Sequence, residues 1–556
     1  MKEQNKTFES ARRNFLKKMG LGTGALAVGG GLSSCEEKHS EEKAGTAHKE
    51  PVNPKARRIV FIMTDTTRWD MIGAYGREGM RTPNIDKFAS EGTRFNLAYS
   101  VSPVCGPARS AIFTGTYPST NGVWGNNLPL GDNIRTVGKR FTDYGYRSAF
   151  IGKWHLDGYD YFGNGKCPDG YEPEYWYDMR TYLEELSDDD RKKSRDVGTI
   201  HKGDGIDSSF TFGHRVTDRA IDFLDNSKDD DFLLTVSYDE PHHPFLMPKE
   251  FADLYKGYKF QQGPKRNDNL KDKPAYQSWW AKGEHLETKE EHFEHPFFLA
   301  CNTYIDQQIG RLVDKINETC PDALVIFTSD HGDMMGAHNL KGKGPAIYDD
   351  ISRIPFIVRW PGHVKAGAES DVPISHISVT PTLLDVAGIP VPDHMQGKSI
   401  VPTLEEDKPV TDAVFMEFGR FEVNHDGFGA FQPYRAVFDG RYKLAIHLLS
   451  DKDEMYDMQN DPDEMKNLIA SEAHTEIRNR LHDRILKEQG ETRDPFRGTY
   501  WAVRPWRNDI EHSWEYTRIT RSRKDCGYEP MPVDYNTGLE ITKDDYTRVK
   551  GLDKKK

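Results

Sequence analysis

Apolar residues along this chain gather into short unbroken runs. Arg57–Asp65 reads RRIVFIMTD, Arg147–His155 RSAFIGKWH, Asp231–Pro244 DFLLTVSYDEPHHP and Ala323–Asp333 ALVIFTSDHGD. None alternates strictly between apolar and polar, so each predicts a strand buried on both faces, as in a parallel sheet. Between them, HRVTDRAIDFLDN (His214–Asn226) and FFLACNTYIDQQIGRLVDKI (Phe297–Ile316) read as helices. That alternation predicts an α/β fold with a mostly parallel central sheet sandwiched by helices.

The pattern changes after about residue 400. AVFMEF, YRAVFDGRYKLAIHL and DEMYDM predict an antiparallel meander, with Asp439-Gly440 turning between two strands, and TEIRNRLHDRILKEQ predicts a helix packed on it. The chain therefore divides into a main α/β domain at 57–400, a smaller C-terminal antiparallel subdomain at 401–490 and an extension at 491–556 with little periodicity. No internal repeat is present.

Polar residues close the strand-like runs: Asp65, then Lys153 and His155, then His242, then Asp330 and His331. In an open α/β sheet, ligands bind at the carboxyl ends of the strands, so four separate strands deliver these side chains to one edge. A fifth stretch, VSPVCGPARSAIFTG, places Cys105 and Pro107 where a helix begins and a glycine where it stops. Cys105 then faces a helix N-terminus, with Arg109 one turn on.

Composition narrows the function. The 556 residues carry a net charge of -13, which argues against nucleic acid as the main partner. An acidic protein acting on an anion must gather positive charge locally. The six cysteines, Cys35, Cys105, Cys167, Cys301, Cys320 and Cys526, show no metal-type spacing. One disulfide among the last four is open in an exported protein.

The N-terminus reads as an address. Arg12-Arg13 followed by Phe15, Leu16 and a Gly-rich apolar run to Leu32 predicts a twin-arginine signal over 1–35, with Ala11 where Ser or Thr is usual. LSSC resembles a bacterial lipobox, which makes Cys35 the lipidated first residue; a plain signal peptide cut nearby is the other reading. Residues 36–56 suit a flexible tether. These features place the protein in the periplasm or at the outer-membrane surface, held only by an N-terminal lipid anchor. No other segment has 18 uninterrupted apolar residues, so no transmembrane helix is expected.

Cys105-Gly106-Pro107-Ala108-Arg109 fits C-x-P-x-R, and TGTYPSTNGV, GKWHL (152–156), PHHP (241–244), SDHGD (329–333) and KGKG (341–344) follow in order. With RIPFIVRWPG, TPTLLDVAGI and DEMYDMQNDPDEMKNL, this ordered set resembles the type I sulfatases of the alkaline-phosphatase-like superfamily, over roughly residues 57–485. The resemblance implies that a maturation enzyme converts Cys105 to formylglycine (3-oxoalanine), whose hydrated form attacks sulfur. It implies one calcium ion held by Asp65, Asp330, residue 105 and His331. Many members have a second aspartate where this chain has Thr66, a weaker neutral ligand. Arg109 is implied to pin the formylglycine loop, Lys153 and His155 to hold the diol, His242 to protonate the leaving oxygen and Lys343, rather than Lys341, to bind sulfate.

Three functions fit these features. The first is removal of sulfate from a sulfated carbohydrate, an algal ulvan-type polymer or a glycosaminoglycan. The second is phosphate or phosphonate monoester hydrolysis on the same scaffold, and the third a surface lipoprotein that binds sulfated glycans without turnover. Several residues have plainer readings. His243 is an alternative to His242, Asp349 and Asp350 read as a solvated turn or helix start, and Trp154 as core packing. Arg521–Asp525 (RSRKD) reads as solvated surface or a polyanion grip, and Trp501, Trp506 and Trp514 are candidates for stacking on sugar rings. Loops 166–200 and 256–295 are expected to shape the pocket.

Overall fold

In the computed structural model, the described residues are 49, 51–158, 161–196, 206–258, 260, 263–283, 296–421, 431–507 and 537–539. The expected signal with Cys35, the RSRKD cluster, Trp514 and Cys526 lie outside them. Thirteen strands are present among these residues: β1 (Arg58–Thr64), β2 (Thr93–Phe95), β3 (Ala98–Tyr99), β4 (Arg147–Gly152), β5 (Phe232–Ser237), β6 (Leu324–Ser329), β7 (Phe356–Arg359), β8 (Ala368–Ser370), β9 (Ile374–Ser375), β10 (Val414–Phe418), β11 (Tyr434–Phe438), β12 (Tyr442–His447) and β13 (Glu454–Asp457). The helices that matter here are α1 (Pro83–Ser90), α2 (Cys105–Thr114), α3 (Val137–Thr142), α4 (Phe212–Asp225), α5 (Pro296–Thr319), α6 (Val379–Val386) and α7 (Thr475–Glu491).

The central sheet runs β4-β5-β1-β6-β7-β2-β8. Its four long strands are parallel and in tight register: Ile59 of β1 pairs with Leu233 of β5 and Leu324 of β6. β7 lies antiparallel beside β6 and β2 antiparallel beside β7, so the sheet is mostly but not wholly parallel. The unbroken apolar runs follow from burial on both faces. Ile59, Phe61 and Met63 pack on one side with Ile112 and Phe113 of α2, Phe141 of α3 and Leu383 of α6. Val60 and Ile62 pack on the other with Phe88 of α1, Val216 of α4 and Ile309 of α5. Helices thus cover both faces of the four long parallel strands, which are buried along almost their whole length.

The C-terminal sheet has the order β10-β11-β12-β13, fully antiparallel. One face (Met416, Tyr434, Ala436) packs on Val104, Trp280 and Tyr348. The other (Val437, Leu444, Ile446) packs on Leu481 and Ile485 of α7. Trp501 is 1% exposed in that second cluster and Trp506 packs against it. Trp501 is therefore core and no sugar platform, because its indole is enclosed among residues of the second sheet and α7. At the other end, Val52, Lys55 and Ala56 donate backbone hydrogen bonds to Gly388 and Val386, so the last residues of the expected tether are held against the end of α6 and the residues after it. Among the described residues, Cys105, Cys167, Cys301 and Cys320 are free thiols, and no helix is long and apolar enough to cross a membrane.

Candidate active site

The strand ends converge as their positions require. β1 delivers Asp65, β4 Lys153 and His155, β5 Asp239 and His242, and β6 Asp330 and His331. Gly152 makes the turn after β4 possible: its φ is +121°, and a Cβ there would lie 1.8 Å from the Ser237 carbonyl oxygen. α2 starts at Cys105 itself, stops at Gly115 in the left-handed region, and is buried throughout.

Arg109 is the hub. Its Nε donates to Asp330 at 3.0 Å and its terminal nitrogens to Asp65 at 3.0 Å, Ser237 Oγ at 2.8 Å and the Lys153 carbonyl at 2.6 Å. One rigid guanidinium thereby ties four strand ends, those of β1, β4, β5 and β6, to α2. Lys153 Nζ bridges Asp65 at 2.7 Å and Asp239 at 2.9 Å. Burial pulls the Lys153 ammonium down, but Asp239 and Asp65 outweigh it and hold the group charged. Burial pushes the Asp65 carboxyl up, and Lys153 and Lys343 bring it well below the usual carboxylate range.

Cys105 Sγ faces Lys343 Nζ at 2.6 Å, His331 Nε2 at 3.3 Å and Asp65 Oδ1 at 3.7 Å. Burial and Asp65 push the thiol up, yet Lys343 and Lys153 bring it down to about 6. The ligating atoms of Asp65, Cys105, Asp330 and His331 all lie within 4.8 Å of one another. His331 Nδ1 is 2.8 Å from the Gly332 carbonyl, so it carries the hydrogen and leaves the Nε2 lone pair facing the two carboxylates. Two carboxylates, a bare imidazole nitrogen and residue 105 form a buried donor set that fits a hard divalent cation. Thr66 sits at φ +73°, where a β-branched residue is strained. That conformation aims its amide at Asp330 Oδ1, 3.0 Å away, while its hydroxyl donates to Asp65 Oδ1 at 2.6 Å.

The remaining site residues line the mouth. His242 is half-buried with Nε2 3.4 Å from Lys343 Nζ, whereas His243 is exposed and its ring faces Phe245. His155, with φ +60°, is buried; burial and then Lys153 push its imidazole down to about 3, so it is neutral. Lys341 is exposed, and its carbonyl accepts from Trp280 Nε1 at 3.1 Å. Segment 263–283 clamps the Lys343 loop further: Asp268 Oδ2 meets His338 Nδ1 at 2.7 Å, and Asn339 donates to the Asp268 carbonyl at 2.7 Å. Trp154 stacks on Phe113 at 5.4 Å in the core.

Asp349 and Asp350 do begin a short helix, but they are not solvated. Asp349 accepts from Tyr99 and Lys443 at 2.9 and 2.6 Å, and Asp350 pairs with Arg68 at 2.7 Å and Lys265 at 3.0 Å. Four residues at the site were not singled out from sequence: Asp239, Tyr161, Ser237, and Asn126, whose Oδ1 accepts from the Gly106 amide at 2.9 Å. Asp239 stands in the same strand-end run as His242, which was its one available signal.

Glu240, beside Asp239, is 2% exposed; Oε1 accepts from the Gly213 amide at 2.8 Å and Oε2 has no partner among the described residues. Burial, then Asp239, push its carboxyl from 4.5 to about 8. The folded state thus holds a proton that the unfolded state releases, and stability falls as pH rises between those values, by about 1.4 kcal/mol per pH unit. Glu240→Gln is expected to melt progressively higher than the wild type as pH rises from about 5 to about 8. Parallel melting curves across that range would show that Glu240 ionises normally.

Fold and site together define a hydrolase of the sulfatase family. Residues 57–389 match the family profile, residues 336–491 match the C-terminal region of N-sulphoglucosamine sulphohydrolase, and the chain belongs to the sulfatase family. It is a sulfuric ester hydrolase. The chain is 42% identical over 492 residues to the uncharacterized sulfatase YidJ of Escherichia coli (strain K12), covering 87% of this chain and 97% of that protein. It is 27% identical over 508 residues to the ulvan-active sulfatase of Formosa agariphila, covering 87% and 89%. Among solved structures, a complex of a protein with its substrate D-glucosamine-2-N,6-O-disulfate superposes with a TM-score of 0.62 at 23% identity, covering 81% and 99%.

Proposed function

We propose that this sulfatase removes sulfate from a sulfated carbohydrate, using a formylglycine made from Cys105 and one calcium ion. The observation that carries the reading is the position of Cys105 Sγ, 2.6 Å from Lys343 Nζ and clustered with Asp65, Asp330 and His331. Hydrated formylglycine would supply two hydroxyls on one carbon: a nucleophile for sulfur, and a second hydroxyl whose loss of a proton lets the carbonyl re-form as the C–O bond to sulfate breaks. Calcium, which Asp65, Asp330, His331 and residue 105 would hold with Thr66 alongside, would supply Lewis-acid polarisation of a sulfate oxygen.

The chain's own residues do the rest. Lys343 and His242 bind sulfate oxygens at the mouth. Lys153, charged and fixed by two carboxylates, and His155, neutral and fixed by the turn after β4, hold the hydroxyls of residue 105. Arg109 keeps α2 and the carboxylates in place, so positive charge is arranged before negative charge develops on the leaving oxygen. His242 protonates that oxygen, which a poor sugar leaving group requires.

A carbohydrate substrate is supported by relatives described as an ulvan-active sulfatase and an N-acetylglucosamine-6-O-sulfatase. The paired arginines and LSSC support export and a Cys35 lipid anchor, which would present the enzyme to such polymers. The test uses protein made with a formylglycine-generating partner. The peptide bearing residue 105 is expected to have the mass of the aldehyde, and sulfate release is expected from at least one ulvan or glycosaminoglycan oligosaccharide. Faster cleavage of aryl phosphate than aryl sulfate would favour the phosphoester function. An unmodified thiol with binding alone would favour the non-catalytic one.

A further inference from the structure

We infer that Tyr161 is a positioning residue for leaving-group protonation, linking Asp239 to His242 in a hydrogen-bonded chain that orients the imidazole. The inference rests on His242 being the general acid. Tyr161 belongs to no motif; it lies in the loop after β4. Its hydroxyl donates to Asp239 Oδ1, the oxygen that also takes Lys153 Nζ at 2.9 Å. The same hydroxyl oxygen is 3.2 Å from His242 Nδ1, and the two rings lie 5.2 Å apart at 33°. The other face of the contact is the His243 carbonyl, 2.8 Å from Nδ1.

These partners fix the tautomer. A carbonyl oxygen only accepts, and the hydrogen of the Tyr161 hydroxyl is spent on Asp239. Both neighbours of Nδ1 are therefore acceptors, and Nδ1 carries the hydrogen. Neutral His242 then has a bare Nε2 facing the reaction centre, and it can act as an acid only after gaining a proton there. Burial, then Lys153 and Lys343, hold the imidazole well below the usual histidine range, so resting His242 is neutral and the proton must reach Nε2 from solvent at the mouth. Two acceptors on Nδ1, one of them backed by a carboxylate, favour its uptake. As the S–O bond breaks, the proton moves from Nε2 to the leaving oxygen, and the ring returns to the Nδ1–H form that the Tyr161 and His243 oxygens stabilise. Tyr161 serves here as the aspartate serves in a Ser-His-Asp triad, through one intervening hydroxyl.

Tyr161→Phe removes the hydroxyl and keeps the ring. Activity is measured on a series of aryl sulfates from 4-nitrophenyl sulfate, whose leaving group needs no proton, to phenyl sulfate, whose leaving group does. The expected result is a loss of about 10–100-fold in kcat/KM on phenyl sulfate with little loss on 4-nitrophenyl sulfate. His242→Ala should show the same selectivity, and the double variant no further selectivity. The ratio between two substrates is independent of how much protein folds. A uniform loss for Tyr161→Phe beside a selective loss for His242→Ala would overturn the role of Tyr161 alone. Uniform losses for both would overturn the role of His242, and this inference with it.

Discussion

Cys105→Ala is expected to reduce sulfate release by about 10⁴-fold or more, on the scale seen when a nucleophile is removed from a preorganised site. The fold should survive, because alanine suits the first turn of α2 and the lost atom is one sulfur. Cys105→Ser is the more informative variant. A serine hydroxyl occupies the same edge beside Lys343 and His331, so it can accept the sulfuryl group. Its ester has no second hydroxyl on the same carbon and cannot collapse to an aldehyde. The expected outcome is at most one turnover, with the enzyme retaining a sulfuryl group detectable by intact mass. Steady multiple turnover by either variant, measured as free sulfate, would show that residue 105 is not the nucleophile.

The sheet was legible because its strands are buried on both faces, so runs such as RIVFIMT are unbroken, rich in β-branched residues and too short for a buried helix. Side chains placed immediately after such runs were legible for the same reason: the end of a parallel strand is where the chain leaves the core. Partners supplied from loops were not. Tyr161 has no periodic neighbours, and nothing in the sequence says that it meets Asp239. Asp349 and Asp350 look solvated because adjacent carboxylates usually are; their cations, Lys443 and Arg68, lie far along the chain. Trp501 looked like a binding aromatic because the packing of α7 on the second sheet, which encloses it, is a tertiary fact. The reversed direction of β7 was likewise invisible, since its apolar run reads the same for either orientation.

Asp330→Asn is the second substitution of large expected effect, and it bears on the metal. The Asp330 carboxylate accepts from Arg109 Nε at 3.0 Å, the Thr66 amide at 3.0 Å and the His331 amide at 2.9 Å. With residue 105 present as uncharged hydrated formylglycine, the surrounding cations Arg109, Lys153 and Lys343 are matched by the anions Asp65, Asp239 and Asp330. A divalent ion makes this balanced centre two charges positive, which suits a sulfate ester whose leaving oxygen is gaining negative charge. Asparagine removes one anion, so the ion must enter a centre that is already positive. Wild-type enzyme is expected to lose activity to a chelator, to regain it with calcium, and to melt higher with calcium bound. In Asp330→Asn, kcat is expected to fall by about 10²–10³-fold, as when one preorganised charge partner is lost. The calcium midpoint for the melting shift should rise by at least about 100-fold, because a direct ligand matters no less than the outer partners that orient one. The melting shift is independent of catalysis, so it separates loss of metal from loss of chemistry. If chelation leaves both wild-type activity and melting unchanged, Asp65, Asp330 and His331 form a structural charge cluster, and Arg109, Lys153 and Lys343 must supply the electrostatic stabilisation unaided.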